Sequence, residues 1–244
     1  MKILTVYTIV ILLMAPKVMA QETMIETVQK AMPSVVSVIA ENEQTFDTPQ
    51  SGIDPKTGRI LTRHELKQAT LERSGAGVVI DSSGLIVTST HTIYNAKNIF
   101  VILYDQTSLP AQVLGFVSQY DFAFLRIQPP SPLSAISWAD SDQIHLGDEI
   151  VTVGHSNLLK EAISGGRVIG IGVKGGKNIR TTEGEETKLI QVNINVYKGD
   201  SGGPIFDRKG NFVGLMVAGQ MKAARSSFAI PANQIREQSK KFLK

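Results

Sequence analysis

The chain has 244 residues, 42% of them hydrophobic and 21 of them glycine, which suits one globular domain or two small ones built from short strands and tight turns and excludes disordered and collagen-like classes. It has no cysteine, so cysteine nucleophiles, iron–sulfur clusters and thiolate zinc sites are excluded. The formal charge is only +3 and no basic run stands out, so nucleic acid is not an expected partner.

In chain order, Lys2, the apolar run Ile3–Met14 and the small-residue pair in Val18-Met19-Ala20 read as a secretory signal peptide cleaved after Ala20. The run is short for a membrane span of roughly 20 residues, and Pro16 and Lys17 interrupt it. No other segment is long and apolar enough to cross a bilayer, so no stable span is expected after cleavage. Removal of Lys2 and Lys17 lowers the surplus charge to +1. An exported chain without disulfides must be held by its core alone, which fits a bacterial periplasmic or secreted location.

Gln21–Met32 places Ile25, Val28 and Met32 at helical spacing, with Pro33 as a stop, so residues 21–34 are expected as a helical segment. Val35–Ile39 is a first strand. Residues 41–73 are polar, carry Pro49, Gly52, Pro55 and Gly58, and are expected as a long surface loop with a short helix around His64–Leu71. Strands follow at Gly77–Ile80, Leu85–Thr88, Phe100–Leu103, Gln112–Gly115 and Phe122–Ile127, with a turn at Asp81–Gly84. Pro129–Trp138 reads as a crossing linker. Further strands are expected at Glu149–Val153, Gly166–Val173, Leu189–Val192, Pro204–Phe206, Phe212–Val217 and Ser227–Ile230, with a hairpin turn at Asp207–Gly210 and a closing helix at Ala232–Leu243. Two strand-rich halves, 35–130 and 131–244, argue for an all-β fold of two antiparallel barrels of about six strands each, with a C-terminal helix.

Gly199-Asp200-Ser201-Gly202-Gly203-Pro204 is the most informative segment. A serine nucleophile needs a sharp turn that exposes its hydroxyl, and flanking glycines allow that turn and a close approach to substrate. The N–H groups of Gly199 and Ser201 can then face a developing oxyanion. The plainer reading is a glycine-rich hairpin loop of the kind any β protein carries. The segment also fits the G-x-S-x-G elbow of α/β-hydrolases, but that fold places its histidine after the serine. His64, His91, His145 and His155 all precede Ser201, and a subtilisin order would need an aspartate first and an α/β sheet that the strand pattern does not support, so the order His…Asp…Ser of double-barrel proteases remains. His91 directly follows the strand and Thr88-Ser89-Thr90, where a general base can face a cleft; His155 is its rival. Of the intervening aspartates, Asp105, Asp140, Asp142 and Asp148 sit in polar turns, whereas Asp121 opens the apolar run Phe122–Ile127, a position that can be rigid and desolvated. A turn at a strand start would also explain Asp121.

With these residues in hand, the sequence resembles the trypsin-like HtrA proteases of the DegP and DegS type. Gly75–Ile80, Gly84–Thr88 and His91 resemble the family's opening, Asp121–Leu125 its aspartate strand, Gly199–Pro204 its serine loop and Ser227–Pro231 the strand after it. The resemblance runs from Val35 to the C-terminus. It implies a trypsin-like double six-stranded antiparallel β-barrel and an extracytoplasmic endopeptidase with no metal or other cofactor, acting on protein or peptide substrates. It implies His91 as base, Asp121 as its orienter and Ser201 as nucleophile, with Gly199, Asp200 and Ser201 as the oxyanion loop. Asn195, Val196, Val217 and Gly219 would then line the specificity pocket and favour small or medium apolar side chains. Family oligomers are usually trimers built through the N-terminal region, which makes a homo-oligomer through 21–33 an expectation.

The pattern departs from the family in two places. HtrA proteins carry PDZ domains after the protease, and this chain, ending at its helix, is expected to lack them. Asp200 stands where the family often has asparagine; secreted trypsins have aspartate there, paired with a newly cut amino terminus that this chain does not offer. Asp200 therefore needs another partner or rests in an inactive loop, and segment 41–73 is expected to tune that state. A latent or non-proteolytic chaperone or binding protein on the same scaffold is the competing reading.

Overall fold

Val28 of the first helix and Met32 just beyond it are both buried. The structure, a computed structural model, describes residues 24–156, 159–173, 188–197, 199–219 and 226–243. The expected signal segment lies outside them. Helix α1 (Met24–Ala31) ends ahead of Pro33, and a 3₁₀ turn at Met32–Ser34 takes up the proline, whose fixed φ suits the start of a helical turn.

The first half forms seven strands and one short helix: β1 (Val35–Ile53), β2 (Ile60–Asp81), β3 (Leu85–Ser89), α2 (Thr90–Ile93), β4 (Asn98–Ile102), β5 (Ser108–Pro110), β6 (Gln112–Val117) and β7 (Phe122–Arg126). The strands make one sheet in the order β5-β4-β1-β2-β3-β7-β6. The second half supplies β8 (Glu149–Ser156), β9 (Leu159–Val173), β10 (Leu189–Val192), β11 (Pro204–Phe206), β12 (Phe212–Gly219) and β13 (Ser227–Pro231), which close as β10-β13-β12-β11-β8-β9; α3 (Ala232–Ser239) follows. The second barrel has the expected six strands. The first is a curled seven-stranded sheet whose end strands, β5 and β6, do not pair with each other among the described residues. Strand β5 leaves no mark in the sequence, because three residues ending in a proline are too short to show a pattern.

Most strands bury both faces, which is why they read as unbroken apolar runs. Successive residues go to different cores. Val78, Ile80, Leu85, Val87, Phe122 and Phe124 face a cluster between the halves, where they meet Val151, Phe206, Phe212, Leu215 and Ile230. Val79, Ile86, Ala123 and Leu125 point the other way, into the first sheet with Val36, Val38 and Val101. Ile150, Ile190, Ile205, Val213 and Met216 fill the second barrel. Phe242, just beyond α3, reaches back to the first half: its ring lies 4.9 Å from that of Phe124, and its carbonyl accepts from Arg126 at 2.7 Å.

Residues 41–73 are not a loop and contain no helix. Strands β1 and β2 pair without a break from Val35↔Val78 to Ile53↔Ile60, and all of the turning happens between Asp54 and Arg59. Asp54 builds that turn, accepting from the Lys56 N–H at 2.8 Å and the Thr57 hydroxyl at 2.6 Å, while Gly58 takes φ +68°. Pro49 and Gly52 lie within β1, tolerated because the outer hairpin is a two-stranded ribbon with free edges. Both faces of that ribbon meet solvent, so it lacks the apolar alternation by which a strand is recognised.

Candidate active site

His91, Asp121 and Ser201 come from three separate elements, and the first sheet is where they gather. Strand β3 runs out at Ser89 into the one-turn helix α2, which carries His91. A turn at Ser118–Tyr120 ends in Asp121, whose backbone sits in the left-handed region (φ 55°, ψ 37°) before β7 begins. A non-glycine residue held there is unusual, and aspartate tolerates it better than most. That conformation gives Asp121 three simultaneous contacts with the histidine turn. Its carbonyl accepts the Thr90 N–H at 2.9 Å, Oδ1 accepts the His91 N–H at 3.1 Å, and Oδ2 lies 2.7 Å from His91 Nδ1. The carboxylate thus orients the ring and the backbone that carries it, leaving Nε2 as the outward nitrogen. Asp105, Asp140 and Asp148 behave as turn residues. Asp105 accepts from the Thr107 N–H and Asp140 from the Asp142 N–H and Asn233, and these bonds hold both carboxyls below the ordinary aspartate range. His64 pairs with Asp47 out on the hairpin, and the His155 side chain lies outside the described residues.

The serine loop belongs to the second barrel but docks on the first sheet. The Ala76 N–H donates to the Ser201 carbonyl at 2.8 Å. Gly202 (φ +83°) lies so close to Thr88 and Ser89 that a Cβ there would come 2.8 Å from Thr88 Oγ1 and 2.9 Å from the Ser89 nitrogen. A Cβ at Gly75 would lie 2.6 Å from Thr92 Oγ1 and 2.9 Å from the Ser201 carbonyl oxygen, so this glycine lets the histidine turn and the serine loop approach one strand together. Among the described residues no hydrogen bond joins His91 to Ser201; such bonds are often long before substrate arrives.

Within the loop, the Asp200, Gly202 and Gly203 N–H groups are committed to the carbonyls of Tyr197, Met216 and Asp200. Those of Gly199 and Ser201 have no acceptor among the described residues. Asp200 therefore braces the loop through its N–H, which the Tyr197 carbonyl holds at 3.0 Å. Its side chain is 6% exposed and packs against Gly154, where a Cβ would occupy the carboxyl's position. Oδ2 accepts the Tyr197 N–H at 2.8 Å, while Oδ1 has no partner. Burial raises this carboxyl above the ordinary aspartate range, against the smaller downward pull of the Tyr197 N–H.

Of the expected pocket residues, Asn195 is exposed and Val196 half-buried, both between β10 and the serine loop. Val217 is buried in the core between the halves, at a bulge in β12 where the pairing with β13 shifts register, and Gly219 ends that strand. Bulges recur beside active sites, but no sequence signal marked this one. A cavity of about 430 Å³ lined by Trp138, Ile144, Glu149 and Arg208 shares no residue with His91, Asp121 and Ser201.

Residues 75–215 match the trypsin-like peptidase domain family. The chain is 32% identical over 215 residues to the periplasmic pH-dependent serine endoprotease DegQ of Escherichia coli strain K12, and 30% identical over 234 residues to the periplasmic serine endoprotease DegP of Salmonella typhimurium. Each match covers 85% of this chain, and 45% and 48% respectively of those proteins. A solved structure of the HtrA-type protease AlgW with a decapeptide superposes with TM-score 0.70 at 25% identity, covering 89% of this chain and 67% of that one. Fold and family match together define a trypsin-like serine protease domain. The chain belongs to the HtrA/DegP family, and it spans about half the length of the curated relatives it matches.

Proposed function

We propose that the protein is an exported serine endopeptidase that cleaves exported or misfolded polypeptides through His91, Asp121 and Ser201. The observation that carries this reading is the double grip of Asp121 on His91, ring and backbone at once, beside a serine loop docked on the same sheet. Ser201 Oγ attacks the scissile carbonyl as His91 Nε2 takes its proton, and Asp121 stabilises the imidazolium that forms. His91 then returns the proton to the leaving amine, and water hydrolyses the acyl-enzyme. The N–H groups of Gly199 and Ser201 are the candidates to receive the oxyanion. Asn195, Val196 and Gly219 would border the side chain of the residue before the cleaved bond, with Val217 offering backbone, since its own side chain is buried. None of the four is charged, which favours small or medium apolar residues there. The periplasmic relatives support an extracytoplasmic location, and no helix among the described residues is long and apolar enough to cross a membrane.

The test is cleavage of denatured casein by the purified chain from Gln21 onward, beside Ser201→Ala. Cleavage that disappears in the variant is expected. The orphaned Oδ1 of Asp200, inside the serine loop, favours the second reading, a latent or binding form. Wild type and Ser201→Ala protecting casein from aggregation equally, with neither cleaving it, would put that reading first.

A further inference from the structure

The helix that carries His91 is four residues long, far too short to hold itself, and no side chain caps its N-terminus. Asp121 secures its first turn. Its other end leaves carbonyls with no helical partner. Two of these are taken by one side chain from outside: Arg73 donates through Nη1 to the His91 carbonyl at 3.3 Å and through Nη2 to the Tyr94 carbonyl. Arg73 stands on β2 opposite Ala40, at the level where the hairpin leaves the body of the sheet. The same level is tied to the segment after α2 from the β1 side, by the Lys97 N–H to the Glu41 carbonyl at 2.7 Å and by Lys97 Nζ to Glu43 at 2.7 Å. Two and three residues further along β2, Gly75 abuts Thr92 and the Ala76 N–H holds the Ser201 carbonyl.

We propose that Arg73 is a positioning residue for His91: its guanidinium clamps the His91 and Tyr94 carbonyls and fixes the imidazole's turn to the base of the β1–β2 hairpin. The proposal rests on the reading of His91 as general base. Asp121 sets the ring from one end of the turn and Arg73 sets the turn from the other, so loss of either side chain lets the ring swing relative to Ser201. Misplacement of a reacting group by about 1 Å is enough to cost on the order of a hundred-fold in rate. Two parallel donors are needed to bridge two carbonyls, which arginine has and lysine supplies only in part.

The experiment compares wild type, Arg73→Lys, Arg73→Gln and Arg73→Ala by two readouts: steady-state peptide hydrolysis, and the downfield proton NMR signal of His91 Nδ1–H, assigned with His91→Gln. Expected are a kcat lower by about ten- to a hundred-fold in Arg73→Ala with KM within about two-fold, partial recovery in Arg73→Lys, and a downfield signal that broadens in the same order while the melting temperature holds. If Arg73→Ala does not fold, Arg73→Gln, which keeps most of the stem, carries the comparison. An unchanged downfield signal, or a change in KM alone, overturns the proposal while leaving the peptidase reading intact. Should wild type hydrolyse nothing, the NMR signal still reports whether Arg73 fixes the His91–Asp121 pair, so the two readings fail separately.

Discussion

The base and the outer part of the β1–β2 hairpin are the same two strands under opposite conditions. At the base, Val36 and Val38 face the interior of the first sheet, Val35, Val78 and Ile80 face the second barrel, and Gly75 and Ala76 touch Thr92 and Ser201. From Glu41↔Glu72 outward the pairing continues to Ile53↔Ile60, with Ile53, Ile60 and Leu66 exposed. Backbone pairing can extend a ribbon well beyond any core, but a two-stranded ribbon with no covered face is marginal in water. The base is therefore where side chains are fixed and the candidate site is built, and the outer ribbon is the low-stability end of the same element.

The largest break in that contrast is expected from Gly202→Ala. Its φ of +83° and the nearness of the Ala76 carbonyl at the hairpin base, with Thr88 and Ser89 of β3 beside it, force the serine loop off the sheet. Destabilisation of about 3 kcal/mol in urea unfolding is expected, with loss of proteolysis. Next comes a matched pair of truncations. Val79→Ala removes methyls from a fully buried position and should cost about 2 kcal/mol, whereas Leu66→Ala on the exposed ribbon should stay within about 0.5 kcal/mol. Equal losses would show that the ribbon is covered in solution.

A smaller effect is expected from Asp200→Asn, and it depends on pH. The folded carboxyl is raised, so below the ordinary aspartate range both folded and unfolded chains hold the proton and nothing is lost. As pH rises through that range the unfolded chain ionises first, and stability falls until the raised folded value is passed. Asparagine cannot ionise, so the melting-temperature difference between variant and wild type should move in the variant's favour from pH 3 towards neutrality (about the span of carboxylate titration). A difference independent of pH would show that Oδ1 is not an unpaired buried oxygen. Smallest of all is the exposed His64–Asp47 pair, for which a double-mutant cycle should give at most about 1 kcal/mol, reduced further by salt.

Much of the fold could be read in advance wherever burial leaves a pattern. Leu189–Val192 and Pro204–Phe206 appear as strands with the expected limits, and Asp207–Gly210 makes the expected turn. The ribbon is illegible in the sequence because a strand exposed on both faces carries no alternation, so Pro49 and Gly52 look like loop markers. Residue types and order leave His155 and a plain turn role for Asp121 open, and the left-handed backbone that gives Asp121 its double grip on His91 leaves no signal beyond the aspartate itself. Gly75 and Gly202 stood inside recognised motifs, but what their missing side chains make room for depends on Thr92, Ser89 and Ser201, which only folding brings together. Arg73 could not be found at all from a polar stretch read as a loop, since its partners are backbone carbonyls.

The central claim is that Ser201 is a nucleophile activated by a histidine that Asp121 holds. Mass-spectrometric mapping and kinetics of the adduct with a fluorophosphonate test it most directly, comparing wild type, Ser201→Ala and Asp121→Asn. The account predicts an adduct on Ser201, none in Ser201→Ala, and labelling slowed by on the order of 10⁴-fold in Asp121→Asn with the fold intact. An adduct on another residue, or labelling as fast in Asp121→Asn as in wild type, would contradict it.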